Sequence, residues 1–256
     1  MKLLDYLIDN YGLSSFEANG YIMAGKVLVN EEVCSWIIYP VKAIDKIRIK
    51  MKQKDFVTRA GYKLEKAISE FALNVSGKVI IDIGASEGGF TDCLLKHGAN
   101  RVYAVDVAYG ILNYKLRTNP KVVALERKNA KFLTDEDIPE KVDMITSDVS
   151  FISLEKVIVP NIRFLKEDGC VALLFKPQFE LPLEMLGKNG IPVNAEDVID
   201  KIEEFVLSME KNNVKIFAIR KSPIKGNSGN TEYLLYGNLV NTEILTRDVI
   251  SDIVKV

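Results

Sequence analysis

The side chains best placed for chemistry stand at the ends of apolar runs, around one glycine-rich turn. Val79-Ile80-Ile81-Asp82-Ile83 is a β-branched run that reads as a buried strand, and it stops at Gly84-Ala85-Ser86-Glu87-Gly88-Gly89. Phe90 to Lys96 then carries helical spacing, so strand, tight turn and helix open a nucleotide-binding α/β unit. A dinucleotide fingerprint needs glycine where Ser86 stands; the pattern here is Asp82-x-Gly84-x-x-x-Gly88-Gly89. A carboxylate ahead of the glycine suits a ligand with an ammonium and a sulfonium better than a pyrophosphate, because a helix N-terminus already favours anions. Asp106 ends a second strand, Arg101–Asp106, roughly twenty residues past the turn, where such folds hold ribose hydroxyls. Asn129 follows a third strand, Val122–Leu125, where an adenine edge would be met. Asp148 closes a fourth, Asp143–Asp148, and Lys176 follows a fifth, Gly169–Phe175.

These residues need a frame. A helix from Thr58 through Phe71 buries Leu64, Ala67, Ile68 and Phe71, with Lys63 beside that face and able to point inward. Asn194-Ala195-Glu196-Asp197 caps a long helix to about Lys211. Val214–Arg220 and Thr231–Tyr236 are sixth and seventh strands, the last bringing Glu232; the tail after Leu239 reads as peripheral. Alternating strands and helices predict an α/β, seven-stranded doubly wound sheet whose strand ends share one ligand-binding edge. Asp82, Asp106, Asp148 and Lys176 belong to that edge, with Lys63 and Glu232 approaching it.

Residues 1–54 make a separate small α+β domain. Leu3, Leu4, Leu7 and Ile8 give a helix stopped by Gly12, and Ser14-x-x-Glu17 is a capping box for a second. Lys26–Asn30 is a strand, turning at Asn30-Glu31, and Val41–Ile49 is its partner. Residues 55–61 are a basic linker and 62–256 the large domain. Lys50, Lys52, Lys54 and Arg59 are candidate RNA contacts, although such a run equally reads as a solvated face.

The net charge of −1 leaves nucleic-acid affinity to local patches. No apolar run reaches spanning length, and Asp5 interrupts any secretory signal. Three scattered cysteines argue against a disulfide framework and for a reducing, cytoplasmic setting. Cys93 and Cys170 read as core fillers. The single histidine, His97, nearly excludes histidine-based metal sites and Ser-His-Asp catalysis; it reads as a helix C-cap.

The glycine turn resembles motif I of S-adenosylmethionine-dependent methyltransferases. The first fifty residues resemble the alpha-L RNA-binding motif through Gly12-Leu13-Ser14-Ser15 and Ala24-Gly25-x-Val27-x-Val29-Asn30, with Phe16 replacing a common arginine and Glu31 a common glycine. Lys63, Asp148, Lys176 and Glu232 resemble the Lys-Asp-Lys-Glu tetrad of FtsJ-type ribose 2′-O-methyltransferases. Arg59–Leu64, Asp82–Asp92, Asp148–Leu154, Lys176–Glu180, Ser222–Gly226 and Gly229–Glu232 are similar to the TlyA, or hemolysin A, family.

That resemblance implies an S-adenosylmethionine-dependent 2′-O-methyltransferase acting on ribosomal RNA or ribosomal subunits, at cytidine in 16S or 23S RNA or both. It implies Lys176 as base, oriented by Asp148, with burial and the cation at Lys63 helping it give up its proton. Glu232 is expected to hold both lysines and help place the ribose. Asp82, Gly84, Ser86, Gly88, Asp106 and Asn129 are expected to bind the methyl donor, with no metal and no membrane involved. The competing readings are a non-catalytic RNA-binding assembly factor, favoured by Phe16 and the acidic balance, and a membrane-active protein, for which no amphipathic basic helix speaks.

Overall fold

A computed structural model describes residues 1–11, 15–49, 56–226 and 228–255, which fold as two units, Met1–Asp55 and Phe56–Val256. The expected Gly12 stop, the Ser14 end of the capping box, and Lys50, Lys52 and Lys54 lie outside the described residues.

In the first unit α1 (Leu3–Tyr11) and α2 (Ser15–Met23) cover a three-stranded antiparallel sheet of β1 (Val27–Val29), β2 (Glu32–Val33) and β3 (Ile47–Ile49), ordered β2-β1-β3. Leu3, Leu7, Ala18, Ile22, Val27, Val29 and Ile49 form its core. Val29 pairs with Glu32, so Asn30-Glu31 is a two-residue turn, with φ of 55° and 69°. Both positions demand left-handed backbone, which asparagine tolerates and glutamate tolerates poorly. The strand expected from Val41 is only Ile47–Ile49. Asp45 accepts hydrogen bonds from Lys42 N at 2.9 Å and Asn30 Nδ2 at 3.0 Å, and these local bonds replace ladder pairing there.

The second unit opens with α3 (Ala60–Glu70), β4 (Val79–Ile83), α4 (Gly89–Lys96), β5 (Arg101–Asp106), α5 (Tyr114–Arg117) and β6 (Val122–Glu126). It continues through β7 (Val142–Ser147), α6 (Leu154–Ile158), β8 (Leu165–Phe175), α7 (Pro177–Glu180), α8 (Ala195–Lys211), β9 (Lys215–Lys221), β10 (Tyr233–Asn238) and α9 (Arg247–Lys255). The seven strands are ordered β6-β5-β4-β7-β8-β10-β9. All pairs from β6 to β8 are parallel, while β10 runs antiparallel between β8 and β9.

Alternation along each strand sends successive side chains to opposite faces. Ile80, Val102 and Leu174 meet Leu64, Ile68 and Leu94 of α3 and α4 on one side. Ile81, Ile145 and Leu173 meet Ile202, Phe205 and Met209 of α8 on the other. The expected peripheral tail is instead part of this second layer. Leu245 and Ile250 are buried in it, and Arg247 pairs with Glu196, Asp200 and Glu203 along α8. Burying Ile250 alone contributes about 1.5–3 kcal/mol, enough to dock a short helix. No described helix is long and apolar enough to cross a membrane.

Candidate active site

Helical spacing places Lys63 with Leu64 and Ala67 on the buried side of α3. Register supplies the other members. Phe175 at the end of β8 pairs with Tyr233 at the start of β10, so Lys176 and Glu232 leave the sheet at one edge. Ser147 at the end of β7 pairs with Leu173, which brings Asp148 to that edge as well.

Four polar side chains meet there as two ion pairs. Lys63 Nζ lies 2.6 Å from Glu232 Oε2, across 169 residues of chain. Lys176 Nζ lies 2.6 Å from Asp148 Oδ1 and donates to Ser150 Oγ at 2.9 Å. Gln178 Nε2 donates to Glu232 Oε1 at 3.3 Å. Both lysines and Glu232 are buried, so each charge depends on its partner: removing one member of such a pair costs about 3–5 kcal/mol. The expectation that Glu232 holds both lysines is corrected. Each lysine has its own carboxylate, which leaves the four charges balanced.

All four line a cleft of about 770 Å³, with Arg59, Ser150, Gln178 and the turn residues Gly84, Ser86 and Gly89. A second cleft of about 330 Å³ is lined by Asp106, Asn129, Val107, Ile111 and Ile152. The two share Gly84, Ser86, Asp148 and Ser150, so a ligand in the second reaches the tetrad's wall. Gly84 has φ +80°, and a methyl there would stand 2.9 Å from Val149 Cγ1 and 3.0 Å from the Asp148 carbonyl oxygen. Asp106 accepts hydrogen bonds from Ser86 N and Ala108 N, each at 2.8 Å, which ties the turn to the end of β5. Asn129 Oδ1 accepts from Lys131 N at 3.0 Å.

Two expected cofactor residues line neither cleft. Asp82 is fully buried within β4, accepting from Thr91 Oγ1 at 2.6 Å and Thr146 Oγ1 at 3.1 Å. Burial pushes its carboxyl up to about 7, with the nearby Asp148 charge adding and the two threonine hydroxyls opposing. Gly88 caps α4 with φ +98°, and a methyl there would strike Leu116. Both shape the turn from beneath.

Four residues escaped the sequence-level assignment of roles: Ser150, Phe151, Gln178 and Asn230. Phe151 is 90% exposed with φ +63°, its ring centroid 4.8 Å from that of Phe179 at the cleft wall. Left-handed backbone is uncommon for so bulky a residue. Gln178 Oε1 and Asn230 Oδ1 are buried acceptors in the same wall with no hydrogen bond among the described residues.

Comparison with known proteins adds to this geometry. Residues 56–239 match the family model of FtsJ-like methyltransferases. Hemolysin A of Brachyspira hyodysenteriae is 39% identical over 241 residues, covering 92% of this chain and 99% of that protein. The 16S/23S rRNA (cytidine-2′-O)-methyltransferase TlyA of Mycobacterium tuberculosis is 38% identical, over 72% of this chain and 69% of its own. A solved Streptococcus thermophilus protein carrying the hemolysin name superposes with a TM-score of 0.75 at 30% identity, covering 100% of this chain and 94% of that one.

Proposed function

The chain belongs to the TlyA/hemolysin A family of FtsJ-like methyltransferases, and from that membership we propose that it methylates ribose 2′-hydroxyls of ribosomal RNA with S-adenosylmethionine as donor. One observation supports this beyond kinship: Lys63, Asp148, Lys176 and Glu232 converge on one cleft from four elements.

The residues present fit the methyl donor. The second cleft offers apolar walls for a flat base in Val107, Ile111 and Ile152, and the Asp106 carboxylate for hydroxyls. At Gly84, which lines both clefts, a side chain would crowd Val149 and the Asp148 carbonyl and displace the wall the clefts share. Gly84, Ser86, Asp106 and Asn129 would hold the donor, with Asp82 and Gly88 supporting the turn. S-adenosylmethionine supplies a methyl group made electrophilic by its sulfonium.

The chain supplies the rest. The proton of the ribose hydroxyl passes to Nζ of Lys176, which Asp148 and Ser150 hold in place. The Lys63–Glu232 pair, braced by Gln178, fixes the opposite wall and orients the ribose. Gln178 Oε1 and Asn230 Oδ1 are acceptors for donor groups of the bound nucleotide. Phe151 offers a face on which a base can stack. Displacement at carbon with a sulfonium leaving group needs no Lewis acid, so no metal enters this reaction as we read it.

Cytidine is the target nucleoside in the name of the Mycobacterium tuberculosis relative, and we carry it over as the expected residue in the RNA. Lys50, Lys52, Lys54 and Arg59 are the expected phosphate contacts, and Arg59 lines the tetrad cleft. Three cysteines outside any disulfide among the described residues accord with a reducing cytoplasm, where ribosomal RNA is modified. Methyl transfer from labelled S-adenosylmethionine to ribosomal subunits lacking the modification tests the assignment. Lys176→Ala abolishes transfer while calorimetry still records donor binding; an active Lys176→Ala removes Lys176 as the base.

A further inference from the structure

Away from both clefts, three side chains of different chemistry converge between α3 and α4. Cys93 and His97 stand four positions apart, the spacing that places two side chains on one helix face. Glu65 faces them from α3. Glu65 Oε2 lies 2.6 Å from His97 Nε2 and 3.8 Å from Cys93 Sγ, and the three ligand atoms all fall within 4.8 Å of one another.

We propose that Glu65, Cys93 and His97 bind one divalent transition-metal ion of the zinc type, with water completing a tetrahedron. Zinc bonds to sulfur, nitrogen and oxygen of about 2.0–2.3 Å make a tetrahedral edge of roughly 3.3–3.7 Å. The sulfur–oxygen separation of 3.8 Å is already close to that edge. The nitrogen–oxygen contact of 2.6 Å must open by somewhat under ~1 Å, a displacement within reach of Glu65 χ rotation. An ion pair accounts for His97 beside Glu65. The same oxygen accepts a hydrogen bond from the Cys93 thiol, so sulfur, nitrogen and oxygen ligand atoms already face one point.

The donor set selects the ion. Thiolate and imidazole disfavour magnesium and calcium, which take oxygen ligands. Glu65 and His97 are part-exposed, which gives the ion a path from solvent, while Cys93 is buried behind them. On binding, the Cys93 thiol proton leaves to solvent, and the Glu65–His97 contact becomes two bonds to the metal. The consequence is mechanical. Glu65 lies two positions from Lys63, and α4 begins at the cofactor turn, so the ion clamps together the helices behind both parts of the site.

The test uses the full chain, stripped with chelator and titrated with Co²⁺ alone. The expected result is a sulfur-to-cobalt charge-transfer band and tetrahedral visible bands saturating at one equivalent. Cys93→Ser loses the charge-transfer band, and His97→Gln loses the tetrahedral intensity. A Cys34→Ser/Cys170→Ser double variant keeps both. Saturating Zn²⁺ raises the Tm of the parent chain by on the order of 5 °C and leaves that of Cys93→Ser unchanged. A folded parent chain with no sulfur-to-cobalt band, or a band that survives Cys93→Ser, overturns the proposal. Neither result bears on methyl transfer, which is read separately.

Discussion

Asp82 is a carboxylate held out of water by the strand that carries it, and that placement has a measurable sign. Its ordinary value of 3.8 is raised to about 7 in the folded chain, chiefly by burial. Between those values the folded state keeps a proton that the unfolded state has shed, so stability falls as pH rises through the window. Above about 7 the penalty is complete; below 3.8 it vanishes. Asp82→Asn removes the titration, so the Tm of this variant should gain on the parent from pH 4 to about pH 7 and level off above it. Parallel melting curves across that range would contradict it. The same residue shows where reading the chain alone fails. The spacing of the turn announced a cofactor loop, but spacing does not tell a carboxylate above the turn from one beneath it. Thr146, 64 residues away, settles that through its hydroxyl. Lys63 and Glu232 were legible because each sits in a recognisable run of residues, whereas their pairing, and the separate pairing of Lys176 with Asp148, depends on strand register.

At the level of elements, the junction of α3 with α4 leaves no room for a side chain at Gly89. A methyl on Gly89 would collide with Thr58 Oγ1 and come within 2.9 Å of Ala60 Cβ and 3.1 Å of Gly61 N. Ala60 and Gly61 are the first residues of α3, and Gly89 the first of α4, so neither side can yield without moving a helix. Gly89→Ala should therefore cost roughly 1–3 kcal/mol in denaturant unfolding and weaken donor binding in calorimetry, since the cofactor turn moves with α4. Unchanged donor affinity would show that the turn is decoupled from the helix. Elements with strong local signals were legible. Asn194 caps α8, its Oδ1 accepting from Glu196 N at 3.1 Å, and the helix ends at Lys211 as its pattern announces. α9 was not legible, because its docking rests on Arg247 reaching three acidic residues of α8, a partnership invisible along the chain. β3 came out short because Asp45 satisfies its neighbours' backbone locally.

For the molecule as a whole, electrostatics sets how it finds RNA. Lysines and arginines number 34 and acidic residues 35, so no global field draws the chain to a polyanion. The excess must be local, and the run of Lys50, Lys52, Lys54 and Arg59 is the densest basic stretch leading toward the large unit. Each phosphate neutralised releases condensed counterion and steepens the fall of log affinity with log salt by about 0.7–0.9. Replacing the three lysines with glutamine should therefore flatten the slope for a ribosomal RNA fragment by up to about 2–3, read by anisotropy over a salt series. The intercept at high salt should change far less, because the stacking proposed at Phe151 does not depend on counterion release. A slope that stays the same would place the phosphate contacts elsewhere. Weaker binding with an unaltered slope would mean that the lysines support structure rather than meet the backbone of the RNA.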